Sequence, residues 1–281
     1  MDKNKQQTIN SGLYIVSTPI GNMEDITFRA INILRESDII LCEDTRHSGT
    51  LLTYYKIKNK LMSYHKFNEK KISEKVIDLI KSNKIVSLIS DAGTPAISDP
   101  GMILVNRCAN ENLNVYSIPG ASAVTSAVSI SGFSDKYIFY GFLEKKENEI
   151  EKTIIKLSKF DYTIVFFIPS KKINFYILNL KKHFFDRRIV IAKEMTKMHE
   201  EIIRSKVKLL KNLPDNLKGE LTVVLSEKNN DKSVKKEIGE SVKIEIKKML
   251  KKYSHKDVVD FISKKENLPK KMIYNFCLKE K

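Results

Sequence analysis

The sequence predicts an α/β protein built as two α/β lobes followed by a small helical C-terminal unit. Three observations carry that prediction. Apolar runs rich in β-branched residues recur with helical stretches between them, the alternation of parallel sheet layered with helices. The runs are almost continuously hydrophobic, as strands covered on both faces must be. A chain of 281 residues, 42% hydrophobic with only 10 Gly and 7 Pro, has the length and core-forming content for two medium lobes.

In order, Leu13 to Ser17, Asp38 to Cys42, Ile85 to Ser90 and Asn114 to Ile118 are expected as the strands of the first lobe, residues 1–135. Between the first two, Ile26, Ala30, Ile33 and Leu34 fall on one helical face that Asp25 is placed to cap. After the turn-prone segment Gly132 to Asp135, the strands Lys136 to Phe142, Tyr162 to Ile168, Ile189 to Glu194 and Leu221 to Leu225 define a second lobe, residues 136–228. The polar interval Glu227 to Ser241 has the composition of a linker. Residues 242–281 form a small basic helical domain, with Ser254 as a helix cap and Leu268-Pro269 as a break between two helices.

The first residues, MDKNKQQTINSG, carry no apolar run of signal-peptide length, and no segment approaches the roughly 20 apolar residues that span a bilayer, so a cytoplasmic protein without membrane association is expected. Cys42, Cys108 and Cys277 are far apart and lack metal-ligand spacing, so they are expected to be reduced and structural, and no metal site is expected. The net charge is +16; residues 1–140 hold 16 basic and 14 acidic side chains, residues 141–281 hold 34 and 20. A basic second half suits a polyanionic partner such as nucleic acid, although 43 of the 50 basic residues are lysine, which weakens that inference.

Chemistry is expected at loops that follow predicted strands, because open α/β sheets bind ligands at the carboxyl ends of their strands. The first is TPIGN, where Pro19 stiffens the turn, Gly21 permits close approach, and Thr18 and Asn22 present short polar groups. The second is EDTRHSG, whose paired carboxylates, arginine and imidazole demand a polar cleft or a local ion-pair network; His47 alone is no sufficient ground for a general base. The third is SDAGTPAISDPG with NVYSIPGASAVTSAV, two Gly-containing loops of small residues that bring main-chain groups close to a small molecule, with Gly120 preceding a helix N-terminus. GxGxxG after the first strand and GxxxxGK[ST] are both missing, which removes the fingerprints of dinucleotide and nucleoside triphosphate sites.

Taken together and in this order, LYIVSTPIGN, EDTRHSG, SDAGTPAISDPG and IPGASAVTSAVSISG resemble the tetrapyrrole methylase superfamily, and within it the bacterial branch that 2′-O-methylates cytidine 1402 of 16S ribosomal RNA. AKEMTKMHEEI and KGELTVVL extend the resemblance, and the basic tail is similar to that branch's C-terminal domain. The resemblance implies S-adenosylmethionine in a cleft between the lobes, the 30S ribosomal subunit as substrate, and a homodimer. It implies a cofactor site of Asp91, Ala92, Gly93, Thr94, Pro95 and Ile97 with Pro119, Gly120, Ala121, Ser122 and Ala123. Thr18, Pro19, Gly21, Asn22, Thr45 and Arg46 would face the target nucleotide, with Thr196 and Lys197 closing the cleft from the second lobe. Where relatives carry FYESPHR this chain has FFIPSKK, Phe166 to Lys172, so the bidentate grip of an arginine is lost although positive charge is kept.

Methyl transfer to a hydroxyl is an in-line displacement helped by a proton acceptor. Glu43, Asp44, Lys193 and Glu194 are the candidates, with Asp44 and Lys193 foremost. A small-molecule methyltransferase of the corrin or porphyrin type and a non-catalytic ribosome-binding factor are the rival expectations.

Overall fold

The computed structural model describes residues 9–144, 146–214, 217, 219–228, 238–266 and 268–279. The N-terminal segment up to Thr8, Lys218 and residues 229–237 of the expected linker lie outside them. The chain forms two units, Met1–Asn229 and Asn230–Lys281.

In the first unit, strands β1 (Gly12–Val16), β2 (Ile39–Cys42), β3 (Leu61–Ser63), β4 (Ile85–Leu88) and β5 (Val115–Ile118) form a parallel sheet in the order β3-β2-β4-β1-β5. Helices α1 (Phe28–Glu36) and α2 (Thr45–Tyr54) cover one face, and α3 (Glu69–Lys81) and α4 (Met102–Asn110) the other. The strands are hydrophobic throughout because both faces are buried: along β1, Leu13 enters the α3/α4 cluster while Tyr14 and Val16 enter the α1/α2 cluster. The chain leaves β1 toward β2 and leaves β4 toward β5, in opposite directions from adjacent strands. That reversal opens a crevice at the carboxyl ends of β1 and β4.

Helix α1 corrects one expectation. Its cap is Thr27, whose Oγ1 accepts from Ala30 N at 3.1 Å, while Asp25 sits in a preceding 3-10 turn. Ile26 therefore lies outside the helix, one residue before the cap, and packs with Ile31 on the same cluster in the manner of a hydrophobic staple.

The second sheet, β6 (Tyr137–Phe142), β7 (Thr163–Pro169), β8 (Arg188–Lys193), β9 (Glu201–Lys206) and β10 (Glu220–Leu225), runs in the order β6-β7-β10-β8-β9. Only β6 and β7 pair in parallel, which departs from the parallel sheet expected of alternating strands and helices. The reason is β10: it enters last and antiparallel between β7 and β8, and as a fully covered central strand it is as hydrophobic as a parallel one. Helices α6 (Glu147–Ser158) and α7 (Ile173–His183) cover one face. On the other lies α5 (Ala123–Ser131), with Val124 and Ala127 against Val165, Val190 and Val224. The helix that follows the last strand of the first sheet thus packs on the second, and Ile20 of the β1 loop joins the same cluster.

The second unit holds α8 (Glu240–Leu250), α9 (His255–Glu266) and α10 (Lys270–Lys279) around Ile246, Val258, Ile262 and Ile273. Ser254 caps α9, its Oγ accepting from Asp257 N at 3.3 Å and donating to Asp257 Oδ2 at 2.7 Å, and α10 starts directly after Pro269.

Candidate active site

The carboxyl ends of β1, β2, β4 and β5 bring the three sequence motifs to one edge of the first sheet. Thr18 and Gly93 form an isolated antiparallel bridge across the crevice, with Thr18 N donating to Gly93 O at 2.9 Å and Gly93 N to Thr18 O at 3.1 Å. Thr18 is buried, and its hydroxyl donates to Ser90 O at 3.1 Å. Thr94 ties the third loop to its neighbours: its Oγ1 lies 2.9 Å from Ser17 Oγ and donates to Ala121 O at 3.4 Å. Gly120 is required at its position, because a Cβ there would stand 2.9 Å from Ser17 Cβ.

Around this junction Asp91, Ala92, Gly120 and Ile97 are exposed, whereas Gly93 and Pro95 are buried and form its floor. The Asp91 carboxylate has no hydrogen bond or ion pair among the described residues, and α5 begins at Ala123 without a side-chain cap from Ser122. An unpaired carboxylate beside exposed main chain and an open helix start suits a ligand that carries both ammonium or hydroxyl donors and a carboxylate.

The second motif starts at Glu43 after β2. Asp44 caps α2, accepting from Arg46 N at 2.8 Å, and is gripped by Arg46 Nε at 3.1 Å and Nη2 at 2.8 Å. These contacts hold its carboxyl well below the usual range. Glu43 behaves oppositely, pushed up by burial and by Asp91, with His65 partly opposing. His47 Nε2 lies 3.1 Å from Asp91 O, a contact that spans the second and third loops.

From the second lobe, the β8–β9 turn reaches the TPIGN loop. Asn22 N donates to Thr196 Oγ1 at 2.9 Å, and a Cβ on Gly21 would stand 2.5 Å from Lys197 Cγ. Lys193 pairs with Glu201 at 3.2 Å, and Glu194 with Lys197 at 2.9 Å. Glu194 (φ 51°), Thr196 (φ 64°), Ala96 (φ 64°) and Ser98 (φ 65°) all have left-handed backbones. Non-glycine residues in that region cost about 1–3 kcal/mol each, and such strain collects where function shapes the chain.

The site also contains residues that the sequence reading did not single out. Ser17 and Ser90 hold Thr94 and Thr18 in place. Asp99 is pushed up to about 6 by burial and by the nearby Glu43, Glu220 and Asp91, with a Ser90 hydrogen bond partly opposing. Its position in the SDAGTPAISDPG run was its only sequence signal. At the altered FFIPSKK segment, Ser170 Oγ donates to Leu217 O at 2.9 Å and anchors the turn, while Lys171 and Lys172 stay exposed.

Known proteins resemble this chain. Ribosomal RNA small subunit methyltransferase I of Thermotoga maritima is 45% identical over 219 residues, 77% of this chain and 98% of its own. The protein of that name from Bacillus subtilis is 37% identical over 222 residues, 78% of this chain and 76% of its own; that from Buchnera aphidicola is 35% identical over 276 residues, 95% and 96% of the two chains. Among solved structures, diphthine synthase superposes with a TM-score of 0.59 at 15% identity, over 76% of this chain and 89% of its own. Uroporphyrin-III-C-methyltransferase from Thermus thermophilus gives 0.55 at 16%, over 77% and 94%. Such low identities speak for the fold alone. The family model of the tetrapyrrole (corrin/porphyrin) methylases matches residues 12–211, and with these relatives it places the chain in that family.

Proposed function

We propose that this protein transfers the methyl group of S-adenosylmethionine to the ribose 2′-hydroxyl of cytidine 1402 in 16S ribosomal RNA, acting in the cytoplasm as a homodimer on the 30S subunit. The observation that carries the reading is the junction at Thr18, Thr94 and Ala121, where loops from three strands meet beside the unpaired Asp91. The relatives' names supply the substrate class. S-adenosylmethionine supplies an electrophilic methyl group on a sulfonium. Asp91 to Pro95 and Ile97, with Pro119 to Ala123, would hold it; Pro19, Gly21, Asn22, Thr45 and Arg46 would orient the sugar, while Thr18, expected to face the nucleotide but buried with its hydroxyl on Ser90 O, would hold their loop in place.

Asp44 does not suit proton acceptance, because its charge is committed to Arg46 and to the α2 cap. Glu43, whose proton affinity is raised, suits it better, since an acceptor works best with a pKa near the working pH. Lys193 and Glu194, each paired, are positioned to orient the substrate.

The test is tritium transfer from labelled S-adenosylmethionine to isolated 30S subunits, alongside a corrin precursor, with ribose methylation mapped in a deletion strain. Transfer to the subunit and loss of the mapped methylation are expected. Transfer to the corrin precursor alone, or ribosome binding without any methylation change, would each overturn the reading.

A further inference from the structure

Beyond Asp91 the site continues into an open groove of about 500 Å³, within the range of small-ligand sites. It is lined by Glu43, Asp44, Arg46 and Asp91, and by His65, Lys66 and Phe67 from the loop after β3. Phe67 is 93% exposed. A phenylalanine presents about 150–250 Å² of apolar surface on which a base can stack.

Three hydrogen bonds brace the loop that carries that ring. Phe67 N donates to His65 Nδ1 at 3.2 Å, His65 N donates to Asn68 Oδ1 at 2.8 Å, and Asn68 Nδ2 donates to Ser63 O at 3.1 Å. The His65 ring stands edge-on, 6.0 Å from Phe67, and leaves the remaining aromatic surface open. Arg46 is similarly fixed: Asp44 holds its Nε and Nη2, while the side chain is 90% exposed. Asp44 and Arg46 thereby offset one another, and Lys66 is the further cation beside the Glu43 and Asp91 carboxylates.

An aromatic face, a lysine and carboxylate acceptors match the three parts of an unpaired nucleotide: base, phosphate and exocyclic amino group. We propose that this groove binds one unpaired nucleotide flanking the methylated one in the RNA strand, its base stacked on Phe67 and its phosphate held by Lys66. The proposal rests on the RNA-methylating reading above.

The chain contains no tryptophan, so F67W introduces a single fluorescent reporter at the groove. Titration of F67W protein with a 12-nucleotide single-stranded RNA carrying the target cytidine is expected to quench its emission; inorganic polyphosphate of equal charge is expected not to. With 30S subunits, F67A is expected to raise KM about tenfold with kcat and S-adenosylmethionine affinity unchanged, and F67W to keep a KM near wild type. An unquenched F67W, quenching by polyphosphate equal to that by RNA, or an F67A with wild-type KM would overturn the proposal. The fluorescence needs no catalysis: quenching in a protein that transfers no methyl group would remove the reading above and leave the groove assignment standing.

Discussion

The backbone amide of Asn22 donates to Thr196 Oγ1 at 2.9 Å, and this bond joins loops 174 residues apart, one from each lobe. Thr196 has a left-handed backbone, φ 64°, and its own amide donates to Glu200 Oε2 at 2.6 Å. Two hydrogen bonds thus hold a β-branched residue in a conformation it disfavours, and the neighbouring Gly21 leaves the room that brings the loops together.

Gly21→Ala is the direct test of that approach. The added methyl would stand 2.5–2.7 Å from Lys197 Cγ, Thr196 Oγ1 and Met195 O, and the last of these is backbone, which cannot swing aside. A loss of at least about tenfold in kcat/KM is expected, since roughly 1 Å of misplacement can cost a hundredfold. The far-ultraviolet circular dichroism should be unchanged. Wild-type kcat/KM in this variant would show that the two loops need not meet.

Thr94→Val keeps shape but removes the hydroxyl that touches Ser17 and Ala121 O. One such hydrogen bond contributes about 1 kcal/mol, so calorimetry is expected to show S-adenosylmethionine bound roughly fivefold more weakly. Asp91→Ala removes the unpaired carboxylate itself; it is expected to abolish cofactor binding and leave the thermal midpoint within a few degrees of wild type. Retained affinity would free that loop of its assigned role.

Asp99 provides a pH test. Burial, with Glu43 and other carboxylates nearby, pushes it up to about 6 from 3.8. Between about pH 4 and 6 the folded protein therefore binds more protons than the unfolded chain, and stability is lost as pH rises through that window. Asp99→Asn is expected to raise the thermal midpoint at pH 8, with the gain vanishing below about pH 4. A gain of the same size at both pH values would point to packing in place of charge.

Arg187, 1% exposed, donates to the carbonyls of Tyr162 at 3.0 Å, Ser226 at 2.9 Å, Phe160 at 2.5 Å and Ser158 at 3.4 Å. It gathers the end of α6 and the exit of β10 around one guanidinium, the cation satisfying carbonyls left open where the helix ends. Arg187→Met fills much of the volume but strands these acceptors. A loss of about 3 kcal/mol or more in urea unfolding is expected, whereas Lys182→Met, a surface change, should stay within about 0.5 kcal/mol.

Among the described residues, eight of the ten strands are legible because their residues are hydrophobic on both sides or alternate cleanly. The two that are not, β3 and β9, lie at sheet edges. β3 has three residues, and β9 carries Glu201, Arg204 and Lys206, the shortness and charge that keep an edge from pairing further. The same omission hid Phe67: without β3, the loop after it had no place in the sheet. Asp25 and Thr27 both suit the α1 cap by residue type, and only the backbone path decides which sits at the boundary.

The sequence by itself determined the α/β architecture, the loops that meet at the crevice and the start of α9 and α10, since strand hydrophobicity, turn residues and caps are local properties. Tertiary structure alone decided the direction of β10, the packing of α5 on the second sheet, the neutralisation of Asp44 by Arg46 and the meeting of Gly21 with Thr196. Each of these depends on which surfaces face one another after distant segments have packed, and neither pattern nor propensity along the chain encodes that.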